Sequence, residues 1–539
     1  MRMVTTGRLA AFSALVLCIA GCARVGAGHG WGTAHQMTIV RANDPPSLNP
    51  LFEFLQTDID LTQLYAEPLV GLSSQNRLIP VVASRVPSVG NGDISRDLRT
   101  VTYHLRRNER FADGVPLTAK DVAFTYRAII NPRNPVAEVQ PYRTIERLDT
   151  PDPYTVVLHL RRPWAAAVSS LFAVTDFIIG ILPAHAFTST DLTHAAWNEH
   201  PFGTGPFRVV QWRRGDEIIF EPNSYARRKP HLRRLVLKIV PDRNTERLLL
   251  LTHAADVVDS LTDQQVIQSR SAPGFRLVRT EENVVTYVAF QTFRPPTDDL
   301  RVRRALLDAI DTAAIAHKVA YGLWPRASTE IAPVLWAHDA SIRLPIYDPR
   351  RAATELDAAG WKMQNGRRVK AGIPFEIQMS YYGWSEESRS AATLIQEYLA
   401  NIGARVTLRA YPSDLYFSVP NGVYYSGRFN LAWGGYYGGS DPEQSEFFTC
   451  DRVAPNGPNV MRWCDRSYDA LFNRQSRTAD QTRRQAAFNG MQRKVADGIL
   501  FVPLFYHGGY TGTNPAVRGW DPNMLFEFSN SEDWDVQPE

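Results

Sequence analysis

The sequence predicts an α/β protein of more than one domain. Three observations carry that prediction. Segments with period-2 alternation recur, among them residues 100–106 (TVTYHLR) and 154–162 (YTVVLHLRR). Amphipathic helical stretches lie between the strand-like segments instead of being segregated from them. The chain has 539 residues, which is too long for one small core.

In chain order, residues 36–44 (QMTIVRAND) read as a strand running into a loop, and a helical pattern from residue 51 leads to YAEPLVGL. A helix is expected over 118–130, with Thr118 as its N-cap, Asp121 three residues on, and Asn131-Pro132 as its stop. FRVVQW and EIIFEPN read as a hairpin around residues 213–216, RRLVLKIVPD as a strand and NTERLLLLTHAAD as a helix. The strand VVTYVAFQT precedes residues 299–320, which predict one long amphipathic helix. Late in the chain DPRRAATELDAAGW, FEIQMSYYG, SRSAATLIQEYLANIG, RVTLRAY and FNLAWGG read as helix, strand, helix, strand, strand.

Composition narrows the function classes. At 44% hydrophobic and 21% charged residues the chain is globular, so long disordered stretches are not expected. The net charge of +4 is small for this length, and the basic residues, mostly Arg, are scattered. No basic block tracks a phosphate backbone, so no nucleic-acid partner is expected. The N-terminus carries Arg2 and Arg8, then the apolar run 9–20 (LAAFSALVLCIA), then Ile19-Ala20-Gly21-Cys22. That run is too short to span a bilayer comfortably and reads as an export signal. Small residues before a Cys resemble a bacterial lipobox, with cleavage before Cys22 and lipid on its thiol. An ordinary secretory signal with an incidental Cys is the alternative. Cys450 and Cys464 then remain as an even pair in an oxidising compartment and read as one disulfide; no nearby His pair supports a metal site instead.

Catalytic signatures are missing. There is no G-x-S-x-G elbow, no S-x-x-K set and no H-E-x-x-H. His185, His194 and His200 have spacings that match no common zinc pattern. The adjacent acidic pairs Glu281-Glu282, Asp298-Asp299 and Glu386-Glu387 read as solvated faces or helix N-termini. No enzyme activity, cofactor or metal is expected.

Residues 103–129 (YHLRRNERFADGVPLTAKDVAFTYRAI) resemble the signature of family 5 extracellular solute-binding proteins, the oligopeptide and dipeptide receptors of ABC importers. The matching positions are Phe111, Asp113-Gly114, Pro116, Thr118-Ala119, Asp121-Val122 and Phe124; Lys120 stands where an acidic residue is usual. Residues 203–242, DPRRAATELDAAGW and VPLFYHGGYTG fit the same family, and Gln291 replaces its usual Asn. The resemblance implies a type II periplasmic binding protein fold: two lobes with a hinge, plus an extra domain inserted in lobe I. The expected division is 1–21 signal peptide, 22–35 tether, 36–60 with 200–285 and 505–539 as lobe I, 61–199 as the extra domain and 286–504 as lobe II. It also implies a monomer in the cell envelope, lipid-anchored and working with a membrane permease and its ATPase. The ligand would be a peptide, or else an oligosaccharide, opine-like compound or metal chelate. A sensor or chaperone role in the envelope is a further alternative.

The candidate ligand site centres on residues 433–443 (WGGYYGGSDPE), which carry no charge before Asp441. Bare backbone at Gly434, Gly435 and Gly438 would let an extended peptide lie as an added strand, with Trp433, Tyr436 and Tyr437 as walls. Tyr381, Tyr382 and Trp384 are expected nearby, giving an aromatic, uncharged cleft. Many peptide receptors of the family hold the ligand's α-ammonium with an Asp three residues before the Asp-Pro, where this chain has Gly438; Asp441 would shape the loop. Either another carboxylate substitutes (Asp441, Glu443 or Asp414), or the ligand has no free N-terminus to hold.

Overall fold

The structure is a computed structural model describing residues 32–52, 56–136, 139–173, 180–270, 274–419, 421–443, 447–455 and 457–538. The expected signal, Cys22 and most of the tether lie outside the described residues. Among the described residues no helix is long and apolar enough to cross a membrane.

One ten-stranded sheet runs through both lobes. In chain order its strands are β1 (Gln36–Arg41), β2 (Phe207–Arg213), β3 (Glu217–Pro222), β4 (Arg234–Ile239), β5 (Val257–Val258), β6 (Arg276–Phe290), β7 (Glu376–Tyr382), β8 (Arg405–Tyr411), β9 (Leu431–Tyr437) and β10 (Phe501–Thr513). Their spatial order is β8-β7-β9-β6-β10-β5-β1-β4-β3-β2. The two long strands β6 and β10 pair antiparallel from Arg276↔Thr513 to Ala289↔Phe501, and the ladder slips between Glu281 and Val284. Lobe I hangs its strands on one half of this pair, starting with β5 at Val257↔Thr513. Lobe II hangs its strands on the other half, starting with β9 at Val284↔Tyr437.

That register aims the strands. β5 is parallel to β1 and, pairing antiparallel with β10, its carboxyl end points from Gly512 toward the middle of that strand. β9 is parallel to β7 and runs antiparallel along β6 until its carboxyl end reaches Val284. Both lobes therefore direct their strand ends at the waist of the β6/β10 pair, where Thr280–Val284 face His507–Gly509. The crevice outside such carboxyl ends is where open α/β sheets bind ligands.

Each lobe has its own core. Met37, Ile39, Phe207, Phe220, Leu235 and Leu237 pack with Trp520, Phe528 and Trp534, so the C-terminal tail shares a core with these strands. The inserted domain has a three-stranded sheet of Thr100–His104, Thr155–Leu160 and Ile145–Asp152, with the helix Ala119–Ile130 packed on it. Its boundary differs from the expected one at two places: Leu61, Leu64, Tyr65 and Ala66 belong to the lobe I core, while Leu51 and Phe52 pack into the inserted domain.

The signature segment folds locally and lies inside this domain. Asp113-Gly114 makes a turn in which Gly114 N–H donates to Phe111 O (2.8 Å), with Gly114 at φ +90°. Asp121 reaches back to accept from Thr118 N (2.8 Å) and its other oxygen accepts from Ala184 N (2.9 Å), tying the helix start to a distant loop. The expected helix over residues 299–320 is two helices, Leu300–Asp308 and Thr312–Val319. Asp311 separates them because its carboxylate accepts from Ala314 N (2.9 Å), so a residue poor inside a helix serves as an N-cap.

The return from the inserted domain into lobe I passes Gly205 at van der Waals limits. A Cβ there would lie 2.6 Å from Tyr65 C and 2.7 Å from Tyr65 Cα, and backbone cannot give way as a side chain can. Gly205→Ala is expected to cost about 1–3 kcal/mol of stability. Urea denaturation of the variant checks this, and an unchanged midpoint would show that the junction is not tightly packed.

Candidate functional site

The aromatic segment lies where the sheet register aims it, but its rings divide between core and cleft. Trp433 is 2% exposed and belongs to the core on one face of the sheet; its Nε1 donates to the Tyr382 hydroxyl (3.0 Å). Tyr436 is buried on the opposite face and meets Phe447 edge-on, and Tyr381 is buried as well. Tyr437 is 63% exposed and Trp384 73%, and Trp384 stacks on Tyr382 with ring centroids 5.4 Å apart. The rings open to a ligand are therefore Tyr437, Trp384 and part of Tyr382, while Trp433 fixes Tyr382 from behind. Strand alternation explains the split, since Trp433 and Tyr437 share a face while Gly434 and Tyr436 share the other.

The glycines have different reasons. A Cβ at Gly434 would strike the Tyr424 hydroxyl at 2.4 Å, so this glycine makes room for the Tyr287–Tyr424 hydroxyl pair (3.0 Å). Gly435 is exposed, with only ordinary contacts around it. A Cβ at Gly438 would lie 2.1 Å from Asn283 Nδ2. Asn283 fills that space because its backbone carbonyl accepts from Gly438 N (2.9 Å) and its amide donates to Gly439 O (3.1 Å). No side chain fits at residue 438 while Asn283 stands there.

Pairing of β9 with β7 stops at Ala432. From Trp433 onward, the edge of β9 away from β6 meets no strand among the described residues. The Tyr416 hydroxyl donates to Trp433 O (2.7 Å), which closes the first position of that edge. Gly435 and Tyr437 follow beside the cleft, paired to Thr286 and Val284 of β6 on one side and met by no strand of the described residues on the other.

Of the three carboxylates expected to substitute at Gly438, two are engaged elsewhere. Asp441 accepts two bonds from Arg484 (2.7 and 2.6 Å), a largely buried fork. Glu443 accepts from Trp164 Nε1 of the inserted domain (2.5 Å); burial first, then neighbouring Asp441, pushes its carboxyl up to about 7. Asp414 is exposed on the short helix Ser413–Phe417.

The cleft is not uncharged. At the waist, Glu282 is pushed up to about 7 by burial. A Cβ on Gly509 would meet Glu282 Oε1 at 2.7 Å and Glu527 Oε1 at 3.5 Å, so these two carboxylates converge over one bare backbone position. Glu387, in the first turn of the helix Glu386–Ala400, is pushed up to about 7 by burial and then by Asp263 of lobe I. Asp263 accepts from Trp324 Nε1 (3.0 Å) and rises to about 6 through burial. Tyr437 lies in the field of both Glu282 and Glu387 and, for all its accessible surface, is enclosed by enough protein that burial pushes its hydroxyl far up. Exposure together with enclosure is the mark of a side chain in a cleft. His507, ring to ring with Trp324 at 5.0 Å, is lowered to about 4 by burial.

The sequence reading passed over Glu282, Glu527, Glu387, Asp263, Trp324 and His507. The acidic pairs 281–282 and 386–387 look like solvated charge because one member of each is exposed. The one local signal for the waist was His507-Gly508-Gly509, a glycine pair inside a strand, which marks close approach.

Two outcomes are expected. Gly438→Asp should destabilise the chain by about 1–3 kcal/mol, and Asn283→Ala combined with it should recover part of the loss; additive losses in urea titrations would refute the shared-space account. The second concerns pH. Glu67, Glu282, Glu330, Glu387 and Glu443 keep in the folded state a proton that the unfolded chain loses near 4.5, so the stability they contribute is full below about 4.5 and is lost as pH rises from there through about 7. His507 acts oppositely, but only below its unfolded value of 6.5. The melting temperature of ligand-free protein is therefore expected to fall from about pH 6.5 to about pH 8.5; a flat or rising profile in thermal scans would contradict it.

The comparisons fit this architecture. The family model for bacterial extracellular solute-binding proteins, family 5 Middle, matches residues 77–455. The chain is 25% identical over 491 residues to the nickel-binding periplasmic protein of Escherichia coli (strain K12), covering 86% of this chain and 88% of that one. It is 24% identical over 459 residues to the dipeptide-binding protein of the same organism, covering 81% and 84%. Among solved structures, the oligopeptide-binding protein AppA of Bacillus subtilis, in complex with a nonapeptide, superposes with a TM-score of 0.76 at 20% identity, over 94% of this chain and 99% of that one. With its lobes, its waist and 379 of its residues inside the family model, this chain belongs to the family 5 bacterial extracellular solute-binding proteins.

Proposed function

We propose that this protein is the substrate-binding lipoprotein of an ABC importer, and that it captures peptides in the interlobe cleft and delivers them to a membrane permease powered by a cytoplasmic ATPase. The observation that carries this reading is the edge of β9 after Ala432, which no strand of the described residues covers and which opens beside Tyr437 and Trp384. An extended peptide adds to such an edge through its main chain, whatever its side chains, and exposed rings receive those side chains. Relatives named for dipeptide binding and for a bound nonapeptide support the same ligand class. The protein binds and releases its ligand without chemistry. Lobe closure about the β6/β10 waist excludes water from the ligand.

Native mass spectrometry of the purified mature chain, followed by denaturation and identification of what is released, tests this. A ladder of peptide masses is expected; a single non-peptide mass overturns the peptide reading. The lipid anchor is tested separately. Mature protein from the native envelope should begin at a lipid-modified Cys22, and Cys22→Ala should move the chain to the soluble fraction; an unmodified N-terminus would overturn the anchor. In the exported chain Cys450 and Cys464, whose Cα atoms lie 4.6 Å apart, form the disulfide.

A further inference from the structure

The waist gathers carboxyl groups with little positive charge to answer them. Glu282 and Glu527 converge over Gly509. Behind them Asp60 Oδ1 accepts from Glu527 N (3.1 Å), and Asp259 accepts from the buried Arg41 (2.7 Å). Glu527 lies in the fields of Asp259, Asp60 and Glu282, all of one sign; its Oε2 is shut off from solvent, and the group beside its carboxyl is the neutral Thr511 hydroxyl. Glu387 approaches from lobe II, and Asp263 from lobe I. Arg41 brings an opposite charge to Asp60, and it is already committed to Asp259. A buried carboxylate without a partner is costly, and a close cation removes that cost.

Arg279 is engaged elsewhere. Its guanidinium lies over the Trp324 ring at 5.3 Å and pairs with the exposed Glu281 at 3.7 Å. The cleft therefore has carboxyl oxygens, open rings and a bare backbone position, and the counter-charge is left to whatever binds.

We infer that the cleft selects ligands presenting an ammonium or guanidinium group at its waist, and that Glu282 and Glu527 receive that group over Gly509 while Glu387 closes on it from the facing lobe. This rests on the reading of the chain as a receptor that binds its ligand between the lobes. The glycine at residue 509 matters because any side chain there would displace Glu282 Oε1 from the shared position. On a peptide the cationic group is the N-terminus or a basic side chain; both offer the same chemistry to two carboxylates.

Calorimetric titration of the ligand-stripped mature chain separates the sources. The probes are trialanine, N-acetyl-trialanine, N-acetyl-Ala-Lys-Ala amide and spermidine. At least one cationic probe is expected to bind about tenfold or more tightly than N-acetyl-trialanine, and Glu282→Gln is expected to remove that advantage while leaving the blocked peptide within about twofold. Preference for trialanine identifies the N-terminus, and preference for the lysine peptide identifies a side chain. Glu387→Gln, a change at the start of a helix, provides the same comparison should Glu282→Gln fail to fold. Equal affinity for charged and blocked peptides overturns the inference and leaves the peptide reading standing. Binding of spermidine alone, weakened by the variants, supports the inference and overturns the peptide reading. Failure of every cationic probe to bind overturns the inference.

Discussion

The structure depends on one pair of antiparallel strands. β6 and β10 are each long enough to serve two lobes, and every other strand of the main sheet is placed by where it joins them. The slip between Glu281 and Val284 breaks the ladder at the one place where neither lobe covers it. A bulge bends and twists its strand, so the waist is where the sheet changes direction between the two lobes. Had the ladder been regular, side-chain alternation would have continued unbroken from one lobe to the other. With the slip, Glu282 joins the cleft while Asn283 turns under the glycine-rich segment of β9.

This irregularity, one of two in the β6/β10 ladder, links two features that lie apart in the sequence. Gly438 is bare because Asn283 occupies its space, and Asn283 is there because the bulge puts it there. The same bulge brings Glu282 over Gly509. A carboxylate is thus absent from one wall of the cleft and present on its floor, about one strand away, as a consequence of local backbone geometry.

Much of the fold was legible because its signals are local. The capping of the helix Ala119–Ile130, the hairpin of β2 and β3, and the alternating strands β7, β8 and β9 declare themselves within a few residues. The break at Asp311 was missed because a continuous apolar stripe outweighed a single capping residue. The site was legible only in part. An aromatic segment beside glycines announces a surface, but which ring of Trp433, Tyr436 and Tyr437 reaches solvent depends on the packing of both sheet faces. The charges at the waist come from positions 60, 259, 263, 282, 387 and 527, which no window of sequence brings together.

The inserted domain takes part in closure. Trp164 Nε1 donates to Glu443 of lobe II, and Ala165 N donates to Ser476 O (2.9 Å), so the insertion in lobe I grips the opposite lobe far from the hinge. Each such bond contributes about 0.5–1.5 kcal/mol net, and both must break for the lobes to part. Their weakness suits a receptor that has to open again. Stronger contacts at the rim would hold an empty cleft shut, with buried carboxyl groups that only a retained proton neutralises. Weak contacts at the rim and unanswered charge at the waist leave the balance between open and closed to the ligand, which alone can supply the missing positive charge.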